Sequence, residues 1–309
     1  MTAKTVFRLS GMVLALVAGI YFIGIAAVHI RELPPLSWGI GSWLLLGIST
    51  ILWASIIILG VLIWKILMFD LGSRLNWLDC VTVYGIAQFG KYLPGNVGHL
   101  VGRVVLAKHA GVPATNTMQT MLIEMVWSVG VASGIALFGV ALGSNIGISP
   151  VALTLFFVAT LLSPWLAWKA ANAFFPKLVT RLTNGSPVVL PRLKTLLLVS
   201  FLYLVTFIVV GLLMDMHARF LFGAQTSHIL MLTVIFAWSW IAGYITPGAP
   251  AGLGVREAVL VSALTPLYGA SIAVGLALSL RVVTTLGDGM LFLIAMFLSR
   301  FNHGNSPTI

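Results

Sequence analysis

Two arginines stand at matching places after two Pro-Gly pairs: Pro94 precedes Arg103 by nine residues in LPGNVGHLVGR, and Pro247 precedes Arg256 by nine in TPGAPAGLGVR. A guanidinium grips phosphate or carboxylate through two parallel N–H donors and stays charged at any physiological pH. A helix that starts at such a break adds unpaired backbone N–H groups and the positive end of its dipole. Gly95, Gly98, Gly248, Gly252 and Gly254 leave that backbone open to close approach, and Lys91, Asn96 and His99 flank the first break. These are the makings of a site for an anionic headgroup, with each arginine roughly 9–13 Å beyond its break at 1.5 Å per residue. The competing reading of Arg103 is a side chain that snorkels to water at the membrane interface.

A second set of residues can carry or balance charge. Asn116, Thr120, Glu124 and Ser128 recur every four residues and make one polar stripe on a helix. Arg281, Thr284 or Thr285, and Asp288 share a face of a later helix, with Arg281 near the centre of a long apolar run. A charged carboxylate in lipid costs at least a few kcal/mol, so both stripes must face the bundle interior or a cavity. Two readings stay open: a buried network in which Arg281 pairs with Asp288 or Glu124, or a cavity wall on which Glu124 or Asp288 balances ligand charge or couples protons. Glu257 lies about 100° around the helix from its neighbour Arg256, so it addresses a different group and can anchor the second Pro-Gly segment.

Other chemistry is excluded or unsupported. The six histidines have no metal-ligand spacing, and HExxH, GxSxG, phosphate-loop and dinucleotide fingerprints are missing, so no metal, cofactor or catalytic residue is expected. The lone Cys80 cannot form an internal disulfide or a thiolate metal site. GxxxG pairs such as Gly98/Gly102 and Gly139/Gly143 read as close helix packing. The ten tryptophans read as interfacial belts.

The elements that must position these residues follow from composition. Of 309 residues 60% are apolar and only 8% charged, which excludes a soluble domain. Apolar runs near 9–30, 40–64, 116–143, 150–172, 195–214 and 271–299 predict about six transmembrane helices, the first an uncleaved span. Regions 80–109 and 228–267 are apolar but broken at their Pro-Gly pairs into limbs of mostly about 14 residues, or about 21 Å, too short to cross. They predict two re-entrant helical hairpins. Lys and Arg fall thirteen to two on one side of the loops, which predicts cytoplasmic termini and accounts for the net charge of +10 without nucleic acid. In that topology the hairpins enter from opposite faces, as an inverted repeat whose substrate site lies where the repeats meet. One all-α polytopic membrane domain, residues 1–309, is expected.

The stretches GKYLPGNVGHLVGRVVLAKHAG (Gly90 to Gly111) and PGAPAGLGVREAVLV (Pro247 to Val261), with the later helix carrying Arg281, resemble the flippase-like membrane region of the lysylphosphatidylglycerol synthase family. The resemblance covers most of the chain. It implies a bacterial cytoplasmic-membrane protein that handles an anionic, aminoacylated or polyprenyl-phosphate-linked lipid, as a stand-alone member without the lysyl-transferring synthase domain. An acidic residue is expected in the family near the position of His99, so any inherited pairing with Arg103 changes here. The first expectation is a flippase or transporter for such a lipid. The alternatives are an integral-membrane accessory protein or enzyme of lipid-linked glycan synthesis, and a scaffold for envelope glycosyltransferases.

Overall fold

The computed structural model describes residues 39–92, 97–143, 149–174, 190–246 and 249–302, with residues 20, 23, 24, 27, 28, 176 and 177. Among the described residues no strand occurs. The long helices are α1 (Ile40–Asp70), α4 (Ala114–Gly143), α5 (Pro150–Phe174), α6 (Leu193–Phe220) and α9 (Ala270–Asn302); the shorter ones are α2 (Trp77–Phe89), α3 (Gly98–His109), α7 (Ile229–Ile245) and α8 (Val255–Tyr268). Four of them, α1, α4, α6 and α9, are long and apolar enough to cross a membrane. Their outward side chains, such as Leu44 and Ile51 on α1 and Leu293 and Phe297 on α9, are exposed. Apolar surface on that scale belongs against hydrocarbon. The chain is a multi-pass α-helical membrane protein.

The predicted runs at 40–64, 116–143, 150–172, 195–214 and 271–299 all lie in long helices, while that at 9–30 falls almost wholly outside the described residues. Helix α1 continues past its predicted end to Asp70. The reason is Lys65: half-buried, it donates to the Leu75 carbonyl at 2.5 Å, so the charge is satisfied without ending the helix.

The 80–109 region is two short helices. Asn76 opens α2 by accepting the Asp79 N–H at 2.7 Å, a standard N-cap. After Phe89 the chain tightens into a 3₁₀ turn, Gly90–Tyr92, and α3 starts at Gly98. Pro94, Gly95 and Asn96 lie outside the described residues. At 13 and 12 residues, α2 and α3 are about 20 and 18 Å long, well short of about 30 Å of hydrocarbon. They pack on each other, and at their tip a Cβ on Gly90 would stand 2.6 Å from the Gly98 carbonyl carbon and 2.7 Å from the His99 nitrogen. Both are backbone atoms, so Gly90→Ala must spread the tip. The expected cost is about 1–3 kcal/mol, read as a lower melting temperature of the detergent-purified protein; unchanged melting would show that the limbs are not held this close.

The 228–267 region repeats the arrangement. Helix α7 is followed by a 3₁₀ turn, Pro250–Gly252, and by α8, while Pro247 and Gly248 lie outside the described residues. Gly252 and Gly254 both take positive φ, +70° and +84°, as the sharp entry into α8 demands. Glu257 in the first turn of α8 accepts the Gly254 N–H at 2.8 Å, so it anchors this segment.

Long helix, two short helices, long helix is thus the order of both α1–α4 and α6–α9. The two sets interlock: α2 packs against α9, α7 against α4, and α1 against α6. The two 3₁₀ turns meet as well, which brings the tips of the two short-helix pairs together.

Candidate functional site

Where the turns meet, a cavity of about 270 Å³ opens among the helices. Lys91, His99 and Arg103 reach it from the first short-helix pair, Gly252 and Arg256 from the second, Glu124 from α4, and Arg281 and Asp288 from α9. Residues read from four separate stretches of sequence therefore share one wall. Glu257 and Gly254 sit next to it at the start of α8, whereas Gly95, Asn96 and Gly248 lie outside the described residues.

The charges on this wall pair in a way the helix faces did not foretell. Arg103 donates through Nη1 to Glu124 Oε2, and its guanidinium lies over the Tyr84 ring at 4.0 Å from the centroid. Only 4% exposed, Arg103 turns inward and does not snorkel. Lys91 Nζ reaches Asp288 Oδ2 at 2.7 Å; the Tyr92 hydroxyl donates to the same carboxylate, and Trp53 Nε1 donates to Oδ1 at 3.2 Å. Arg281 donates through Nη1 to Glu257 Oε1 and to the Ala251 carbonyl, both at 3.3 Å. Within the buried-network reading, the pairing of Arg281 with Asp288 or Glu124 is corrected: Arg281 meets Glu257, Asp288 meets Lys91, and Glu124 meets Arg103. Seven residues of helix separate Arg281 from Asp288 by about 10 Å, while the first short-helix pair brings Lys91 and Arg103 within contact of the two carboxylates.

Arg256 is different. It is 8% exposed, and while its Nε is unpartnered like that of Arg103, it has no counterpart of the Arg103–Glu124 bond and makes no hydrogen bond among the described residues. Its nearest carboxylate oxygen, Glu257 Oε1, stands at 4.0 Å and is already engaged by Arg281. Phe236 offers only a ring face, 5.7 Å from the guanidinium carbon. Among the described residues, then, four cations meet three carboxylates around the cavity, and the surplus positive charge sits on Arg256 and Arg281, which share Glu257. Burying an unpaired charge costs several kcal/mol unless a counter-charge arrives.

His99 lines the cavity with its Nδ1 buried and unpartnered among the described residues.

The stripe on α4 divides between the two readings left open above. Asn116 donates to the Ser73 hydroxyl at 2.8 Å and Thr120 accepts from Trp64 at 3.1 Å, so these two hold helices together. Glu124 and Ser128, one and two turns on, face the cavity. Close packing is the role of Gly139, where a Cβ would meet Val234 Cγ1 at 2.2 Å.

Sequence reasoning missed the aromatic part of the site. Phe236, Trp240 and Tyr244 on α7, with Tyr203 and Phe207 on α6, form a wall beside Arg256. Trp240 and Tyr244 stack at 4.6 Å between centroids and 14° between planes, and Phe207 meets Trp240 edge-on at 5.7 Å. The belt reading also fails for Trp53 and Trp127, which are buried in mid-helix and donate to Asp288 and Ser200. One turn separates Trp240 from Tyr244 on α7, and that i, i+4 spacing was the available signal.

A family model, that of the lysylphosphatidylglycerol synthase TM region, matches residues 6–290 of this chain. No individual curated protein matches it.

Proposed function

The chain belongs to the lysylphosphatidylglycerol synthase TM region family, and from that premise we propose that it is a flippase or transporter for an anionic lipid or a polyprenyl-phosphate-linked glycan intermediate in the bacterial cytoplasmic membrane. The observation that carries the reading is Arg256: a buried guanidinium that makes no hydrogen bond among the described residues and stands 4.0 Å from a carboxylate Arg281 already engages, on a cavity whose cations outnumber its carboxylates. A headgroup phosphate supplies the missing negative charge, gripped by the arginine fork in a setting where charge-assisted bonds are strong. Arg281 shares the phosphate through its position across Glu257, and Lys91, which approaches the same Tyr92 ring as Arg281, and His99 line the same cavity. Arg103, balanced by Glu124, holds the chamber in shape. Asp288 and Glu124 are the carboxylates available to take up protons or balance charge as the headgroup passes.

The same reading gives the fold its membrane placement. Six full spans, both termini in the cytoplasm, and short-helix pairs that enter from opposite faces make an inverted repeat in one domain over residues 1–309. Support comes from the twofold element order of α1–α4 and α6–α9 and from helices too short to cross. An inverted repeat meeting at midplane lets either half rock against a fixed headgroup site.

The enzyme reading, an accessory of lipid-linked glycan synthesis, is less well supported. The outer-face carboxylate best suited to it, Asp215, already accepts from the Ser227 hydroxyl at 3.0 Å and the His228 N–H at 2.9 Å. Reconstitution separates the readings. Vesicles containing the protein are expected to move fluorescent phosphatidylglycerol or a polyprenyl phosphosugar between leaflets faster than empty vesicles. Product formed from a sugar donor and lipid acceptor, with no movement of either lipid, would put the enzyme reading first; loss of envelope-glycosyltransferase partners without any transport defect would favour the scaffold.

A further inference from the structure

Resting on the transport reading, we infer that the cavity selects a headgroup with one negative charge on phosphate and an otherwise uncharged, hydroxyl-bearing remainder, and that it rejects headgroups carrying an ammonium. The first support is the distribution of charge. Each carboxylate around the cavity is engaged: Glu124 by Arg103, Asp288 by Lys91, Tyr92 and Trp53, and Glu257 by Arg281 and the Gly254 N–H. A phosphodiester finds the Arg256 and Arg281 fork, but an ammonium on the same headgroup finds four cations and no free carboxylate among the described residues. An unpaired cation desolvated beside others is the repulsive element that discriminates between two lipids with the same phosphate.

The second support is the wall next to Arg256. The stacked Trp240–Tyr244 pair gives a flat aromatic face of the kind on which the apolar C–H edge of a sugar or polyol lies. Around it the Tyr203 and Tyr244 hydroxyls and the Gln88 amide line the cavity and make no hydrogen bond among the described residues, so they are free to meet ligand hydroxyls. A volume of about 270 Å³ holds a phosphate with a glycerol or a single sugar.

Two sources share this chemistry, a glycerophospholipid and a polyprenyl phosphosugar, and the test has an arm for each. Titration calorimetry on the full-length detergent-purified protein would use dihexanoyl phosphatidylglycerol, dihexanoyl phosphatidylethanolamine, a ten-carbon isoprenyl phosphomannose and inorganic phosphate. Phosphatidylglycerol, the phosphomannose or both are expected to bind at least about tenfold more tightly than phosphatidylethanolamine, and the tighter of the two names the source. Tyr244→Phe and Trp240→Leu are expected to weaken that ligand severalfold while leaving inorganic phosphate unchanged. Arg256→Gln is expected to weaken every phosphate probe. Phosphatidylethanolamine bound as tightly as the polyol lipids, or aromatic substitutions without effect on them, overturns this selectivity. Tight binding that ignores Arg256→Gln overturns the transport reading itself. Circular dichroism and melting of each variant separate lost binding from lost fold.

Discussion

Arg103→Met is expected to destabilise the folded protein by about 3–5 kcal/mol, because it strips the counter-charge from Glu124 in a water-poor interior. Arg103 is 4% exposed, bonded to Glu124 and laid over Tyr84. Removing it takes away the ion pair and the ring contact together. The carboxylate left behind must take a proton or draw in water, and either costs stability. Glu124→Leu alone is expected to do comparable damage by leaving the guanidinium bare. The Arg103→Met/Glu124→Leu double variant should recover much of the loss, since replacing a buried pair with apolar side chains is often neutral. A thermal double-mutant cycle in detergent reads the coupling between the two. If both single variants melt as the wild type does, the pair is not buried as described.

Arg256→Gln is expected to behave in the opposite way, abolishing transport while the melting temperature holds or rises. Nothing among the described residues fully compensates this guanidinium, so its removal relieves the cavity of an unpaired charge. The headgroup phosphate, in contrast, loses its fork. Truncating one partner of a buried charge pair costs about 2–5 kcal/mol, which places the loss in vesicle transport rate between about thirtyfold and several thousandfold. Arg256→Lys should fall between, since it keeps the charge and gives up the paired geometry. A lipid-flipping rate within about threefold of wild type for the glutamine variant would sink the assignment, as would a collapse of its melting temperature.

The contrast between these two arginines marks the limit of what the chain discloses before it folds. Pro94 to Arg103 and Pro247 to Arg256 are spaced alike, and the resemblance between the two segments carried through to a shared architecture of short paired helices. Apolar run length located the long helices, because a helix in lipid satisfies its own backbone and needs only length and hydropathy. Pairing was another matter. Whether Glu124 met Arg103 or Arg281 depended on how α3 and α9 sit against α4, and no periodicity within one helix contains that. The polar stripe on α4 was legible as a stripe, yet only packing divided it into Asn116 and Thr120, which bind helices, and Glu124, which faces the cavity. The aromatic wall was hidden for a related reason. Among so many apolar residues, Phe236, Trp240 and Tyr244 stand out only once Arg256 is seen beside them.

The interlocking of the two halves has a consequence in time. Tyr92 and Asp288 meet across 196 residues, and α2 packs on α9, the last helix described. At synthesis rates of about 5–20 residues per second, the first short-helix pair waits roughly 10–40 s for its carboxylate. During that interval Lys91 lacks its carboxylate and the flank of α2 that meets α9 is uncovered. A nascent chain halted before α9 should therefore be degraded faster than one halted after it.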